Sequence, residues 1–526
     1  MSKLTERFAR LRLMERFLDR IEQIGNLLPH PVTLFALFAL GVVLLSGVAG
    51  WLDLSVVDPR PEGAKGRSPT GTITAVSLMN AAGFRRIVTS VVSNFTSFKP
   101  LGTVLVALLG VGVAEASGLL GAGVRAAVLK APARMVTVVI VFSGVLSNTA
   151  SEMGYVVLIP LAAVVYHALG RHPIAGLAAA FAGVSGGYSA NLFIGTVDPL
   201  LSGITEEAAR LIDPQYTVHP AINWYFMMVS TLLVTGIGTW VSLRIVEPKL
   251  GPYDAKNAQE GLEKNPSLEP LSEIEWRGLK WAGVSVALVL LGLVLLVAPE
   301  GGVLRNPETG EILNSPLLKG MVTLIFVFFF IPGFVYGRVT GTMRTEDQVV
   351  DGMAKAMSSL GLYIVLVFFA AQFVAYFGWT NLGAITAVSG AELLSSMGMT
   401  GPVVFIPFIL MCCMVNLALG SASAQWAVTA PIFVPMLMLL GYSPEVIQAA
   451  YRIGDSTTNI ITPMMSYFGL ILAFASRYDK KLGIGTLIAA MLPYAISFLI
   501  AWVVLFYLWV FALGLPVGPG SPTYYP

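Results

Sequence analysis

NLALGSASAQWAVTAPIFVPML at residues 416–437, followed by SPEVIQAAYRIGDSTTNIITPM at 443–464, decides how this chain folds. Both blocks are apolar enough for a membrane interior. Yet they are broken by Gly420, Ser421 and Ser423, by Pro431, Pro435 and Pro444, and by the polar run from Gly454 to Asn459. Lipid offers no hydrogen bond to an unwound backbone, so breaks at membrane depth persist only where protein encloses them around a cavity. A run of about 18 residues carrying two prolines reads as a re-entrant hairpin rather than a full span.

Upstream the same order of features occurs once more. GVLSNTASEMGY at 144–155 carries a polar turn, an apolar run follows through Pro160 to a GRHP turn ending at Pro173, and GVSGGYSANLFIG at 183–195 supplies a second break. In both regions the last break ends with Gly five residues before Asn, at Gly186 and Asn191 and at Gly454 and Asn459. Paired interruptions at corresponding positions of two halves point to a transport site between them. Helix N-termini at the hairpin tips suit an anion, and unwound carbonyls with Asn, Ser and Thr oxygens suit a cation.

Working outward, the 526 residues are 56% hydrophobic and 12% charged, with a mean hydropathy of +0.76. That balance belongs in lipid, where about 20 helical residues cross roughly 30 Å of hydrocarbon. The net charge of +2 and the pI near 8.4 show no basic stripe that would suit nucleic acid. Cys412 and Cys413 are neighbours in an apolar run, without metal-ligand spacing, and read as helix packing. The expected organisation is a basic amphipathic helix over 1–30 on the cytoplasmic surface, a first membrane half over 31–246 with a hairpin at about 147–172, a cytoplasmic linker over 247–280, and a second half over 281–526 with a hairpin at about 420–443. Lys and Arg placement puts the amino terminus inside and the carboxy terminus outside. The fold class is therefore an all-α membrane protein, with about nine transmembrane helices plus two re-entrant hairpins in inverted repeats.

Ionisable residues inside such spans are few and costly. Arg452 and Asp455 stand three apart, share a face if helical, and can pair, either as a structural ion pair or as contacts for substrate and coupling ion. Asp198, in GTVDP, is a helix-end cap or an ion site; Glu115 and Glu152 are lesser candidates. Trp426 follows the second tip, where an indole can stack on a substrate ring. His30, His167, His172 and His219 show no ligand spacing.

The two blocks at 416–437 and 443–464 resemble the signature of the AbgT family, the p-aminobenzoyl-glutamate transporters, and the likeness extends along the whole chain. The resemblance implies a homodimeric transporter in the bacterial inner membrane that moves p-aminobenzoyl-glutamate, p-aminobenzoate or related folate-pathway metabolites on an ion gradient, and that exports sulfonamide antimetabolites in some members. It places the substrate site on Asp198, Ser423, Trp426, Pro444, Arg452, Asp455 and Pro463, with Asn416 and Asp455 as sodium contacts. Asn148 and Asn459 join these as coupling-ion candidates from the polar breaks. No cofactor is expected beyond a proton or sodium gradient. A more distant likeness, carried by Ser147, Asn148 and Thr149, is to sodium-coupled dicarboxylate carriers, so a di- or tricarboxylate importer is the alternative. A membrane enzyme would need an activated nucleophile or a His-rich metal set, and the chain is read as having neither. A channel fits paired hairpins less well than alternating access does.

Overall fold

The computed structural model describes residues 29–150, 154–254, 256, 258–259, 270–313 and 315–525. The surface helix expected over 1–30 and the middle of the linker fall outside these residues. Long apolar stretches become helices because a helix satisfies its own backbone, and more polar stretches such as Glu346–Ser359 join them. In chain order they are α1 (Pro31–Trp51), α2 (Ala81–Thr96), α3 (Lys99–Ala116), α4 (Leu119–Leu129), α5 (Val136–Ser147), α6 (Ile159–Ala168), α7 (Pro173–Phe181), α8 (Val197–Ala209) and α9 (Trp224–Val241). After the linker follow α10 (Glu273–Val297), α11 (Met321–Thr340), α12 (Glu346–Ser359), α13 (Gly361–Trp379), α14 (Leu382–Ser396), α15 (Phe405–Leu419), α16 (Ala422–Leu439), α17 (Pro444–Thr458), α18 (Phe468–Tyr478) and α19 (Ile484–Phe506). A short antiparallel ribbon, Ser55–Val57 with Thr72–Thr74, sits in the loop after α1.

Among the described residues nine helices are long and apolar enough to cross a membrane. Two of the nine, Pro402–Leu419 and Ala422–Leu439, flank the second tip, so length and composition alone do not separate hairpin arms from spans. The helices flanking the two tips are α5 with α6 and α15 with α16. The bounds of about 147–172 and 420–443 expected from the sequence start at the two tips, where α5 and α15 end, and take in α6 and α16.

Pro431 and Pro435 read in the sequence as interruptions of the second hairpin, but α16 runs unbroken through both. A buried helix tolerates proline where neighbouring helices and local adjustments satisfy the freed carbonyls. The turn comes instead at Gly420, whose φ of +58° is left-handed and where a Cβ would stand 2.8 Å from the Met464 backbone. Only glycine fits that place.

One large core joins α5–α9 and α15–α19 with α1, α13, α14 and the end of α4. Helices α3 and α10–α12, with the rest of α4, meet in smaller clusters. Close glycine contacts hold the second group, as where Gly333 of α11 abuts the backbone of Ala114 in α3.

Candidate functional site

Helix α17 brings most of the candidate residues together. Ser443 accepts from the Val446 amide at its start, Pro444 occupies its first turn, and every residue from Pro444 to Thr458 is buried. A helix buried all round and carrying Gln, Arg, Asp, Ser and Thr must place each polar group against a partner.

Arg452 finds its partners across the two halves. One guanidinium nitrogen donates to Asp198 Oδ1 at 2.6 Å and another to the Ser189 carbonyl at 2.9 Å, while Asp198 Oδ2 accepts from the Gly195 amide at 2.7 Å. The spacing in the sequence suggests that Arg452 pairs with Asp455 on its own helix face. The ion pair is instead with Asp198, 254 residues away, because the break at 187–196 turns α8 so that its first acid meets α17. Ser189 N donates to Ser456 Oγ at 3.1 Å, which ties the same two breaks together.

Asp455 is left with its charge uncompensated. Both its carboxylate oxygens are buried without a hydrogen-bond partner among the described residues, and so is Asn416 Oδ1. The Asn416 amide nitrogen donates to the Asp455 carbonyl at 2.8 Å, to Thr458 Oγ1 at 2.9 Å and to Asn459 Oδ1 at 2.8 Å. That leaves three orphaned acceptors around one acid, with the guanidinium on the same helix already engaged by Asp198. An unpaired buried carboxylate costs several kcal/mol, and a set made only of oxygens matches a hard cation or a proton. The residues present thus fit the coupling-ion expectation.

Other candidates lie apart. Pro444 starts α17 eleven residues before Asp455, about 16 Å along a helix. Pro463 sits in the turn leaving the second break. Asn148 donates weakly to the Gly144 and Gly187 carbonyls at 3.4 Å, so it braces the first tip against the first break. Glu115 is exposed at the end of α3, and Glu152 lies outside the described residues. Three of the histidines make structural bonds: His30 and His172 accept amides at the starts of α1 and α7, and His219 bonds the Pro519 carbonyl. Cys412 and Cys413 are free and buried in α15.

Trp426 is fully buried. Its ring stacks on Tyr451 at 4.2 Å and its Nε1 donates to Thr205 Oγ1 at 2.9 Å. Thr205 donates on to Gln448 Oε1 at 2.5 Å, and Gln448 to Asn223 Oδ1 at 2.8 Å. The indole is therefore an anchor between α16, α17 and α8, with no open face for a substrate in this conformation.

A cavity of about 160 Å³ does lie at the second tip, lined by Gly420 to Ser423, Asn459, Met465, Ser466 and three tyrosines, Tyr155, Tyr188 and Tyr467. Of the site residues named from sequence it takes in Ser423 and Asn459. The tyrosines are not among them. Their signal is in plain view, since Tyr155 and Tyr188 each follow a glycine inside the broken stretches of the first half and Tyr467 closes the second. The stretch GVSGG at 183–187 matches the GxSxG pattern of a nucleophile elbow, contrary to the reading that the chain carries no such nucleophile motif. Ser185 is buried inside a helical bulge and contacts the Met465 sulfur at 3.1 Å, a thioether rather than a base, so it packs rather than reacts.

The AbgT transporter family model matches residues 16–525. The p-aminobenzoyl-glutamate transport protein of Escherichia coli K12 is 36% identical over 501 residues, covering 95% of each chain. Among solved structures, MtrF of Neisseria gonorrhoeae, which represents a class of antimetabolite efflux pumps, superposes with a TM-score of 0.90 at 59% identity over 96% of this chain and all of that one. The YdaH transporter of Alcanivorax borkumensis, noted for an unusual topology, superposes with a TM-score of 0.86 at 46% identity over 93% of this chain and all of that one. These likenesses run the length of the molecule and embrace both broken regions, and the chain is a multi-pass membrane protein that belongs to the AbgT transporter family.

Proposed function

We propose that this chain is an ion-coupled secondary transporter of p-aminobenzoyl-glutamate, p-aminobenzoate or related folate-pathway aromatics, and that it exports sulfonamide antimetabolites. The observation that carries the coupling is Asp455: one arginine serves two buried aspartates, and Asp198 takes it. The second acid requires a sodium ion or a proton whenever it is buried. Asn416 and Asp455 would hold a sodium ion, with Asn459 oriented by Asn416 beside them. The ion would supply the positive charge that lets the site close.

Substrate docks between the hairpin tips, where α16 begins at Ser421 and Ala422 without a side-chain cap and offers free amides to a carboxylate. The core that bears the hairpins would then move against α3 and α10–α12, which would carry the homodimer contact. The protein works in the bacterial inner membrane with its amino terminus in the cytoplasm. The names of the E. coli and N. gonorrhoeae relatives support the substrate class.

A di- or tricarboxylate importer would have no ring to seat, whereas the tip cavity is lined by three tyrosines that suit an aromatic substrate. Competition separates the two: in membrane vesicles p-aminobenzoate, with its single carboxylate, should block uptake of labelled p-aminobenzoyl-glutamate while succinate and citrate do not. Block by succinate alone would hand the function to the carboxylate reading.

A further inference from the structure

The tip cavity draws a wall from each of the four broken segments. Tyr155 follows the first tip, Tyr188 stands in the first break, Gly420 to Ser423 form the second tip, and Asn459 with Met465 to Tyr467 line the second break and its exit. The lining carries no charged residue, and three of its ten residues are tyrosines. The rings of Tyr155 and Tyr467 lie parallel at 4.6 Å with 6° between their planes, which bridges the two halves by an aromatic contact.

Size fixes what this space takes. A cavity of about 150 Å³ accommodates benzene, so about 160 Å³ holds one benzenoid ring, and a glutamyl group on that ring has to reach out through the open side. The polar atoms at hand are the hydroxyls of Ser421, Ser423 and Ser466 and the amide of Asn459, which suit the amine or carbonyl substituents of such a ring. Trp426, the aromatic residue singled out from the sequence, is fully buried and is not among the residues that line this space, whereas Tyr155 and Tyr467 are.

We propose that the tip cavity is the seat of the substrate's aromatic ring, and that the Tyr155–Tyr467 pair, not Trp426, supplies the face on which it stacks. This rests on the transport reading above and adds the ring subsite to it. The glutamyl part of a longer substrate extends out of the cavity, so p-aminobenzoate and the aromatic end of p-aminobenzoyl-glutamate occupy the same place. Tyr155 belongs to one half and Tyr467 to the other, so a ring stacked there also bridges the hairpins as they move.

The test is equilibrium binding to the purified full-length protein of labelled p-aminobenzoate and of its saturated counterpart, trans-4-aminocyclohexanecarboxylate. Tyr155→Leu and Tyr467→Leu should each weaken p-aminobenzoate by about three- to tenfold and leave the saturated acid within twofold. The matching Phe variants and Trp426→Phe should hold the wild-type ratio. A fall in both ligands together would assign the tyrosines a packing role and overturn the proposal. Photolabelling of the wild-type protein with p-azidobenzoate serves where a Leu variant does not fold: adducts on peptides bearing Tyr155, Tyr188 or Tyr467 support the seat, and adducts confined to the Trp426 peptide overturn it. Wild-type protein that binds neither compound overturns the transport reading itself, whereas equal binding of both acids overturns the ring seat alone.

Discussion

Asp198→Asn and Arg452→Gln, made singly and together, probe the bond that joins the two halves. The Arg452 and Asp198 side chains are 1% and 7% exposed at 2.6 Å, so neither charge has water to fall back on. Removing one partner of such a pair leaves the other buried and unpaired, at a cost of about 3–5 kcal/mol. The amide oxygen introduced at position 198 would still accept from the Gly195 amide, whereas glutamine at position 452 is two atoms shorter than arginine and gives up the Ser189 carbonyl as well. About 3 kcal/mol is therefore expected for Asp198→Asn and about 4 kcal/mol for Arg452→Gln. The double variant removes both charges and should cost little more than either single one, which gives a coupling energy of about 2–3 kcal/mol. Denaturation in mixed micelles followed by circular dichroism reads these differences, and about 3 kcal/mol corresponds to a factor of roughly 150 in the unfolding constant. Additive costs would refute the assignment. So would a larger coupling between Arg452→Gln and Asp455→Asn, which would return the ion pair to the α17 face.

Three further outcomes follow from the same geometry. Asp455→Asn should raise thermal stability in sodium-free buffer, because it removes an uncompensated buried charge, and should abolish any stabilisation by added sodium; a variant that is still stabilised by sodium would move the ion elsewhere. Gly454→Ala places a methyl group 2.6 Å from Cys412 Cβ and 2.7 Å from the Ile409 carbonyl, and should cost about 1–3 kcal/mol and slow transport, while Gly485→Ala, with nothing within 4 Å, should be silent in both assays. In the loop after α1, burial works against the Asp58 charge, but hydrogen bonds from Arg60 and from the Ser68 amide outweigh it and hold the carboxyl below its ordinary value of 3.8. A lowered value means that the loop gains stability above pH 3.8 and loses it as the pH falls through the folded-state value. Protease cleavage within 58–71 should therefore rise only in strong acid, and Asp58→Asn should cleave readily at neutral pH; equal cleavage of the two at neutral pH would remove the ion pair from the loop's support.

The sequence made the architecture legible because the grammar of breaks follows from lipid's refusal of open backbone. Gly420 therefore announced the tip between α15 and α16, whereas the run Gly454 to Thr458 stays helical inside α17 and the chain leaves that helix only at Asn459. What distance along the chain hid was pairing. Arg452 and Asp455 are three residues apart and invite a local bond, whereas the partner in fact comes from α8, brought in by a turn at 187–196 that no spacing rule encodes. Trp426 shows the same limit, since its place beside the tip suggests an open face and packing against Tyr451 closes it. The prolines mislead for a related reason. Pro431 and Pro435 look like breakers to a rule built on exposed helices, and α16 is buried enough to absorb them. Tyr155, Tyr188 and Tyr467 are each visible in a broken stretch, but no spacing shows that the three share one cavity.

Flux of labelled p-aminobenzoyl-glutamate and p-aminobenzoate in proteoliposomes, with proton and sodium gradients imposed separately, tests the central claim most directly. Flux of either compound that rises with one gradient and vanishes in Asp455→Asn is the predicted result and names the coupling ion. Flux that is indifferent to both gradients, or succinate moving while neither aromatic compound does, would contradict it.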